Sequence, residues 1–403
     1  MTIIDIPNFI NNHITKRQKS IFSKDIESNI DNLSNQIKNK SILVIGGAGT
    51  IGSSFIKEIL NFKPSKLYVV DNNENGLTEL TRQLRSNLNQ FIPKNFKTYP
   101  MNFGDNVFKK MFLEEAPFQI VANFAAHKHV RSEKDKYSIE AMIENNVFKA
   151  KEFLDLLLKN KPEHFFCVST DKAANPVNIM GASKKLMEEL IMSYSNDLKI
   201  TTARFANVAF SNGSLLAGYI ERFSKKQPLS CPSDVRRFFV SPEESGQICM
   251  LACVVGKSRD IFFPKLYEND LVNFKTITKD LFKFLNKDFV ECQSEEEAKS
   301  LLINNSKNSP YPVYFFKSDT SGEKLFEEFY SELDKVDFST YSSLGVIKNA
   351  SISSKKIINS KIFKLKKLFS SSIYDKSKIV DVLKNYVPDF DHIETGKNLD
   401  QKM

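Results

Sequence analysis

The chain has no tryptophan and only 5 histidines and 5 cysteines among its 403 residues. The cysteines, Cys167, Cys231, Cys249, Cys253 and Cys292, are odd in number, and no pair has zinc-ligand spacing with matching partners. That argues against a disulfide framework and a metal site, and for reduced thiols in a cytoplasmic protein. Cys249 and Cys253 share one helical face, where core packing is their expected role. An apolar run of about 20 residues, which a membrane-spanning helix needs, is missing. Charges at Asp5, Lys16 and Arg17 do not fit a secretion signal. There is no repeat of solenoid length. The formal charge of +9 lacks the concentration a nucleic-acid face requires: Lys and Glu are interspersed, and only Ile347 to Lys378 is clearly basic. A solvated surface with a basic tail accounts for that charge, and so does a basic pocket for a diphosphate-bearing substrate. The 34 phenylalanines accompany richness in Lys, Asn and Ile, a compositional bias that carries no function.

What is present is alternation. Ile42–Ile45 is a short β-branched run, followed by glycines and an amphipathic helix from Ile51 to Leu60. "KLYVVDNNE", "FQIVANF", "HFFCVST" and "KITTARFANVAF" supply further strands, with helical patterns between them. Strands alternating with helices predict an α/β fold built on a doubly wound parallel sheet. After about residue 210 the alternation fails and Pro228, Pro232 and Pro242 punctuate short elements. The expected organisation is a helical extension over 1–40, a cofactor domain over 41–210 and a smaller mixed substrate region over 211–345, partly interleaved with the sheet. A basic, partly helical tail over 346–403 follows, its last dozen residues frayed.

Gly46, Gly49 and Gly52 form G-x-x-G-x-x-G between a strand and a helix that opens at Thr50 and Ile51. Such glycines let the backbone approach a pyrophosphate at the helix N-terminus, as in a Rossmann-type domain. Asp71 ends the next strand roughly 20 residues on, where an acid binds the adenosine ribose hydroxyls. A 2′-phosphate beside that carboxylate would be repelled, and no basic residue follows until Arg82 and then Arg85. NAD is therefore favoured over NADP.

The segment "STDKAANPVNIMGASK" (169–184) places Asp171 and Lys172 beside Ser169 and Thr170, with Lys184 further on. Met180 stands four residues before Lys184, where many dinucleotide enzymes of this layout have a tyrosine. With "GGAGTIGS" (46–53), "AAHKHV" (125–130), "RFANVAFSNGS" (204–214), "RRFFVSPEE" (236–244) and "SGEKLFEE" (321–328), it resembles an extended short-chain dehydrogenase/reductase. More narrowly, it resembles the UDP-N-acetylglucosamine 4,6-dehydratases among polysaccharide-biosynthesis proteins.

The resemblance implies oxidation at C4 of a nucleotide-linked hexose by NAD, loss of water across C5 and C6, and return of the hydride to C6. It assigns Asp171 as acid at the 6-hydroxyl and Lys172 as base at C5. That base needs a pKa lowered by desolvation or a nearby cation, for which Lys184, Lys128 and the bound nicotinamide are candidates. Thr170 would hydrogen-bond the 4-hydroxyl, and a relay through water, the ribose or Lys172 stays open. Lys184 would hold the nicotinamide ribose. Asn102 would stand at the adenine-binding position, with Phe103, Ala125, Ala126, Lys128, Asn146 and Ser169 along the cofactor. Lys128, His129, Asn207, Ser214, Arg237 and, second to it, Arg236 would meet the nucleotide sugar, with Glu323 near it. A methionine at 180 resembles the members that retain configuration at C5. Departures fall at Asn102, Ala206 and Asn212, around the nucleotide and sugar pockets, so a GDP- or dTDP-linked sugar stays open. A 4-epimerase is the second reading, against which Met180 counts; a non-catalytic sensor is the third, against which Lys172 and Lys184 count. A homo-oligomer without metal is the default for the superfamily.

Overall fold

Short β-branched and aromatic runs form the centre of the protein. The computed structural model describes residues 4–303, 309–319, 321–322, 324 and 326–396. Six strands follow in turn: β1 (Ser41–Ile45), β2 (Lys66–Asp71), β3 (Asn95–Pro100), β4 (Ile120–Asn123), β5 (His164–Val168) and β6 (Ile200–Ala203). β7 (Ile261–Pro264), β8 (Val336–Asp337) and β9 (Leu344–Ile347) complete a nine-stranded sheet in the order β8-β9-β7-β6-β5-β4-β1-β2-β3. From β3 through β7 every pairing is parallel, while β9 runs antiparallel to β7 and β8 antiparallel to β9. β1, β4 and β5 are buried almost throughout, as strands covered on both faces by helices must be.

The region after residue 210 divides between two cores. β7 and β9 join the main sheet, while Leu229–Pro232, Tyr311–Phe316 and Phe289–Cys292 form a separate parallel three-stranded sheet. Under that small sheet lie Tyr219, Leu281 and Phe282, packed with Phe9, Ile10 and Ile14 from the N-terminal segment. The extension thus splits: its first turns belong to the small core, whereas Phe22, Leu33 and Ile37 pack on the main one. Cys249 and Cys253 lie buried on the helix Pro242–Val255, where burial pushes both thiols up.

The tail is ordered further than its composition suggests. Its helices Lys355–Phe369 and Lys376–Tyr386 lie against the helix Ile179–Met192, with Lys361 Nζ 2.7 Å from Glu189. Beyond them the backbone of Asp391 donates to Pro176 O and that of Ile393 to Val177 O, each at 3.0 Å. The frayed end expected from about residue 392 is therefore bonded at Ile393; residues 397–403 lie outside the described residues.

Candidate active site

The strand order reverses between β1 and β4, and a crevice opens at their carboxyl ends. Gly46 leaves β1 with φ +75°, and a Cβ there would stand 2.5 Å from the Ala125 nitrogen. A Cβ on Gly52 would collide with Gly46 O. The turn is therefore shaped by close backbone contacts, and it opens the helix Thr50–Leu60, capped by Gly49. Asp71 braces it: its carboxylate accepts from Ala48 N at 3.0 Å and Asn73 N at 2.9 Å. Each of its oxygens retains a lone pair for a ribose hydroxyl. Thr50 Oγ1 accepts from Asn212 N at 3.0 Å, tying the turn to the loop before Ser214. Ile51 and Ala126 line an inner cavity of about 240 Å³, which Asp71 does not reach.

Several expected cofactor residues stand behind this surface. Phe103 is buried edge-on against Phe153, so only its backbone can face a ligand. Asn146 is buried too; its amide accepts from His127 N and donates to His127 O and Ser183 Oγ. It clamps the β4 loop to the helix Ile179–Met192 and lines neither cavity of the cleft. Asn102 accepts from Gly104 N at 2.9 Å and from Lys149 Nζ at 3.3 Å. Ser169 lines the inner cavity, with its hydroxyl committed to Glu188 at 2.5 Å.

The reactive groups converge at the end of β5. Thr170 Oγ1 donates to Asp171 Oδ1 at 2.7 Å, and Lys172 Nζ lies 3.2 Å from the same oxygen. Asp171 is only 4% exposed. On the other side, Lys172 Nζ stands 3.6 Å from Glu327, itself 5% exposed. Burial works to lower the Lys172 pKa, but Asp171 and Glu327 outweigh it against opposition from Arg237, and hold the ammonium above its ordinary value. Two expectations are corrected here. Lys172 rests as a cation and not as a poised amine, and the cation acting on it is Arg237, not Lys128 or Lys184. Those two lysines are themselves lowered, both by burial.

Met180 is buried in the first turn of Ile179–Met192, lining the inner cavity, with its backbone N donating to Glu133 at 2.9 Å. Asn178 caps that helix through Gly181 N and donates to Gly322 O, binding the loop after β5 to the "SGEKLFEE" stretch. Lys184 Nζ donates to Val168 O at 2.7 Å and to Met187 Sδ at 3.2 Å, leaving one proton for a ribose. Behind them Glu188 and Arg204 form a buried bidentate pair, at 2.9 and 2.7 Å.

An outer cavity of about 750 Å³ adjoins the inner one, sharing Lys128, His129, Lys172, Asn207 and Ser214. Arg131, Arg222, Lys225 and Arg237 make it basic, and Phe239, Phe274 and Phe316 give it aromatic wall. Lys128 Nζ donates to Asn212 O at 3.1 Å, and His129 lies against Gly213. Ser214 caps the helix Leu215–Lys225. Arg237 is fixed by bonds to the Arg236 and Lys324 carbonyls. Its neighbour Arg236 points the other way along the strand, 4.0 Å from Glu268, and lines a separate cleft. Glu323 lies outside the described residues. Sequence reasoning missed Arg131 and Glu327; the second sits inside the quoted "SGEKLFEE" motif, where only burial distinguishes it from the adjacent Glu328.

The sequence profile of the polysaccharide biosynthesis protein family matches residues 42–349. An uncharacterized membrane protein of Methanocaldococcus jannaschii is 34% identical over 58% of this chain and 69% of its own length. An inverting UDP-N-acetylglucosamine 4,6-dehydratase of Campylobacter jejuni is 27% identical over 69% of this chain and 81% of its own length. A UDP-glucose 4-epimerase of Rickettsia canadensis is 26% identical over 66% and 78%. Other relatives are longer: the chain covers 41% of the probable polysaccharide biosynthesis protein EpsC of Bacillus subtilis, at 28% identity over 61% of this chain. Among solved structures, Pen from Bacillus thuringiensis superposes with a TM-score of 0.62 at 19% identity, over 82% of this chain and 98% of that one. A dTDP-glucose 4,6-dehydratase of Streptomyces venezuelae, solved with NAD and TYD bound, gives 0.55 at 16% identity, over 72% and 87%. The profile match spans the parallel sheet and nearly all of the cleft's walls, and the chain belongs to the polysaccharide biosynthesis protein family, within the extended short-chain dehydrogenases/reductases.

Proposed function

We propose that the protein is an NAD-dependent nucleotide-sugar 4,6-dehydratase of surface-glycan biosynthesis, with UDP-N-acetylglucosamine the first substrate to test. The observation that carries this reading is the acid–lysine pair Asp171–Lys172 at the meeting of the two cavities, with Met180 where an epimerase of this superfamily would keep its tyrosine. The cradle at Gly46, which a Cβ would fill, and Asp71 beside it fit the pyrophosphate and ribose of NAD. When bound, NAD would accept a hydride from C4 of the sugar and return it to C6.

The chain's own groups then do the proton work. Asp171, as an acid, gives a proton to the departing C6 hydroxyl, and Lys172 takes the proton of C5. Thr170, bonded to Asp171, can pass a proton from the 4-hydroxyl to that carboxylate. Arg237 and the other basic groups of the outer cavity suit a diphosphate, guanidinium groups through their planar forks. Incubation with a panel of nucleotide sugars tests the reading by mass. Loss of one water supports it, a mass-neutral change indicates epimerisation, and binding without turnover indicates a sensor.

A further inference from the structure

A base that rests protonated must first lose its proton. Lys172 is such a group, since Asp171 and Glu327 together keep it an ammonium. The nearest acceptor besides Asp171 is Glu327, 3.6 Å from Nζ and largely buried at the wall of the cleft that Arg236 lines. We propose that Glu327 takes the proton of Lys172 during turnover and returns it afterwards. This rests on the dehydratase reading above. Glu327 touches no reacting atom in this scheme; it acts through Lys172 as a positioning and proton-holding residue.

The proton count closes. At rest, Asp171 and Glu327 are carboxylates and Lys172 is an ammonium. As hydride leaves C4, the 4-hydroxyl proton passes through Thr170 to Asp171, which becomes the acid. Lys172 gives its proton to Glu327 and becomes a free amine. The amine takes the C5 proton; the C–H electron pair forms the C5–C6 double bond and expels the C6 oxygen, which leaves as water with the proton of Asp171. Hydride then adds to C6, Lys172 returns a proton to C5, and Glu327 returns its own to Lys172. All three groups end as they began, and no outside acid or base is consumed.

The surroundings favour the exchange. Burial pushes the Glu327 carboxyl up, against the pull of Lys172, while Asp171 adds to the rise and Arg237 and Lys324 oppose it. A carboxyl raised in this way approaches the amine in basicity more closely than an exposed one would. Its stretch of chain is held in place by the bonds from Asn178 to Gly322 and from Arg237 to Lys324.

Glu327→Gln keeps the shape and removes the acceptor. With the nucleotide sugar that the wild type dehydrates, its kcat at pH 7 should fall about 10²-fold or more, with KM little changed. The loss should shrink steadily as pH rises toward 10, where solvent strips Lys172 directly. Glu327→Asp, which keeps a carboxyl on a shorter arm, should recover at least part of the rate at pH 7. Exchange of C5 hydrogen in deuterated water should slow in parallel with kcat. Wild-type rates in Glu327→Gln, a loss that pH does not relieve, or an Asp variant no better than Gln would overturn the proposal. Should Glu327→Gln not fold, the Asp variant decides by its pH profile: an activity limb moved upward supports the role, and an unmoved one refutes it. Failure of the wild type to dehydrate any nucleotide sugar would instead sink the reading beneath it.

Discussion

Asp171 and Lys172 are adjacent in sequence, the proposed dehydratase reading gives them opposite work, and their surroundings differ. Asp171 receives the Thr170 hydroxyl and the Lys172 amide on one carboxylate oxygen. Lys172 lies between two carboxylates and a guanidinium, so its charge state is set by its neighbour Asp171 together with Glu327 and Arg237, which are distant in sequence. Lys172→Ala and Asp171→Asn should each cut dehydration by about 10² to 10⁴ while leaving NAD bound, as read by turnover and by cofactor titration. Near-wild-type turnover in either would remove that residue from its role. Met180→Leu should be tolerated, since volume-conserving apolar swaps cost under about 1.5 kcal/mol. Met180→Tyr should fold and bind NAD without exceeding wild-type activity, because the buried pocket is shaped around a thioether. The acid–lysine pair, the glycine turn and Asp71 were legible because each sits in a local motif. Glu327 and the grip of Arg237 on Lys172 were not, because only folding brings 172, 237 and 327 together. The choice of Arg237 over Arg236 is a matter of strand alternation, which the sequence shows only once the strand is known.

Among the elements, β1, β2, β4, β5 and β6 of the parallel sheet were readable from their apolar runs, since a strand buried on both faces has little freedom in composition. Half-exposed β3, and β7 beyond the point where alternation fails, were not. The split of the N-terminal extension between two cores was not, for periodicity tells which face is apolar and not what it meets. Nor was strand β9, which returns to the sheet antiparallel from a region without strand–helix alternation. At the opposite edge, Glu115 ends the helix Asn106–Glu115 and gathers Lys97 from β3 and Tyr68 and Lys66 from β2. Lys97, then Tyr68, hold its carboxyl down to about 2 from 4.5. Because the folded value lies below the unfolded one, this contact stabilises fully above pH 4.5 and is lost as pH falls toward 2. Glu115→Gln should therefore lower Tm at pH 6 and flatten its decline with acid. An acid limb as steep as the wild type's would show that other carboxylates govern it.

At the scale of the whole molecule, the cleft is assembled from distant parts of the chain. Ile51 from the turn after β1, the acid–lysine pair after β5 and Arg237 on a two-residue strand line one pair of cavities, with Glu327 3.6 Å behind Lys172. The tail closes the assembly from behind through Pro176, Val177 and Gly322. No helix among the described residues is long and apolar enough to cross a membrane. Cofactor choice belongs to this scale too, since it depends on β2 reaching the glycine turn. Asp71→Ala should weaken NAD and narrow its advantage over NADP, measured by titration with both; stoichiometric NADP in the purified wild type would contradict this. The central claim, that Asp171 and Lys172 carry out dehydration without a tyrosine, is tested most directly in deuterated water. Wild-type protein is given UDP-N-acetylglucosamine, and the product is examined by mass and by NMR at C5. The account predicts loss of one water, with deuterium at C5 and its configuration retained, as one lysine working from one face requires. A mass-neutral product would contradict dehydration itself, and clean inversion at C5 would demand a second proton donor on the opposite face.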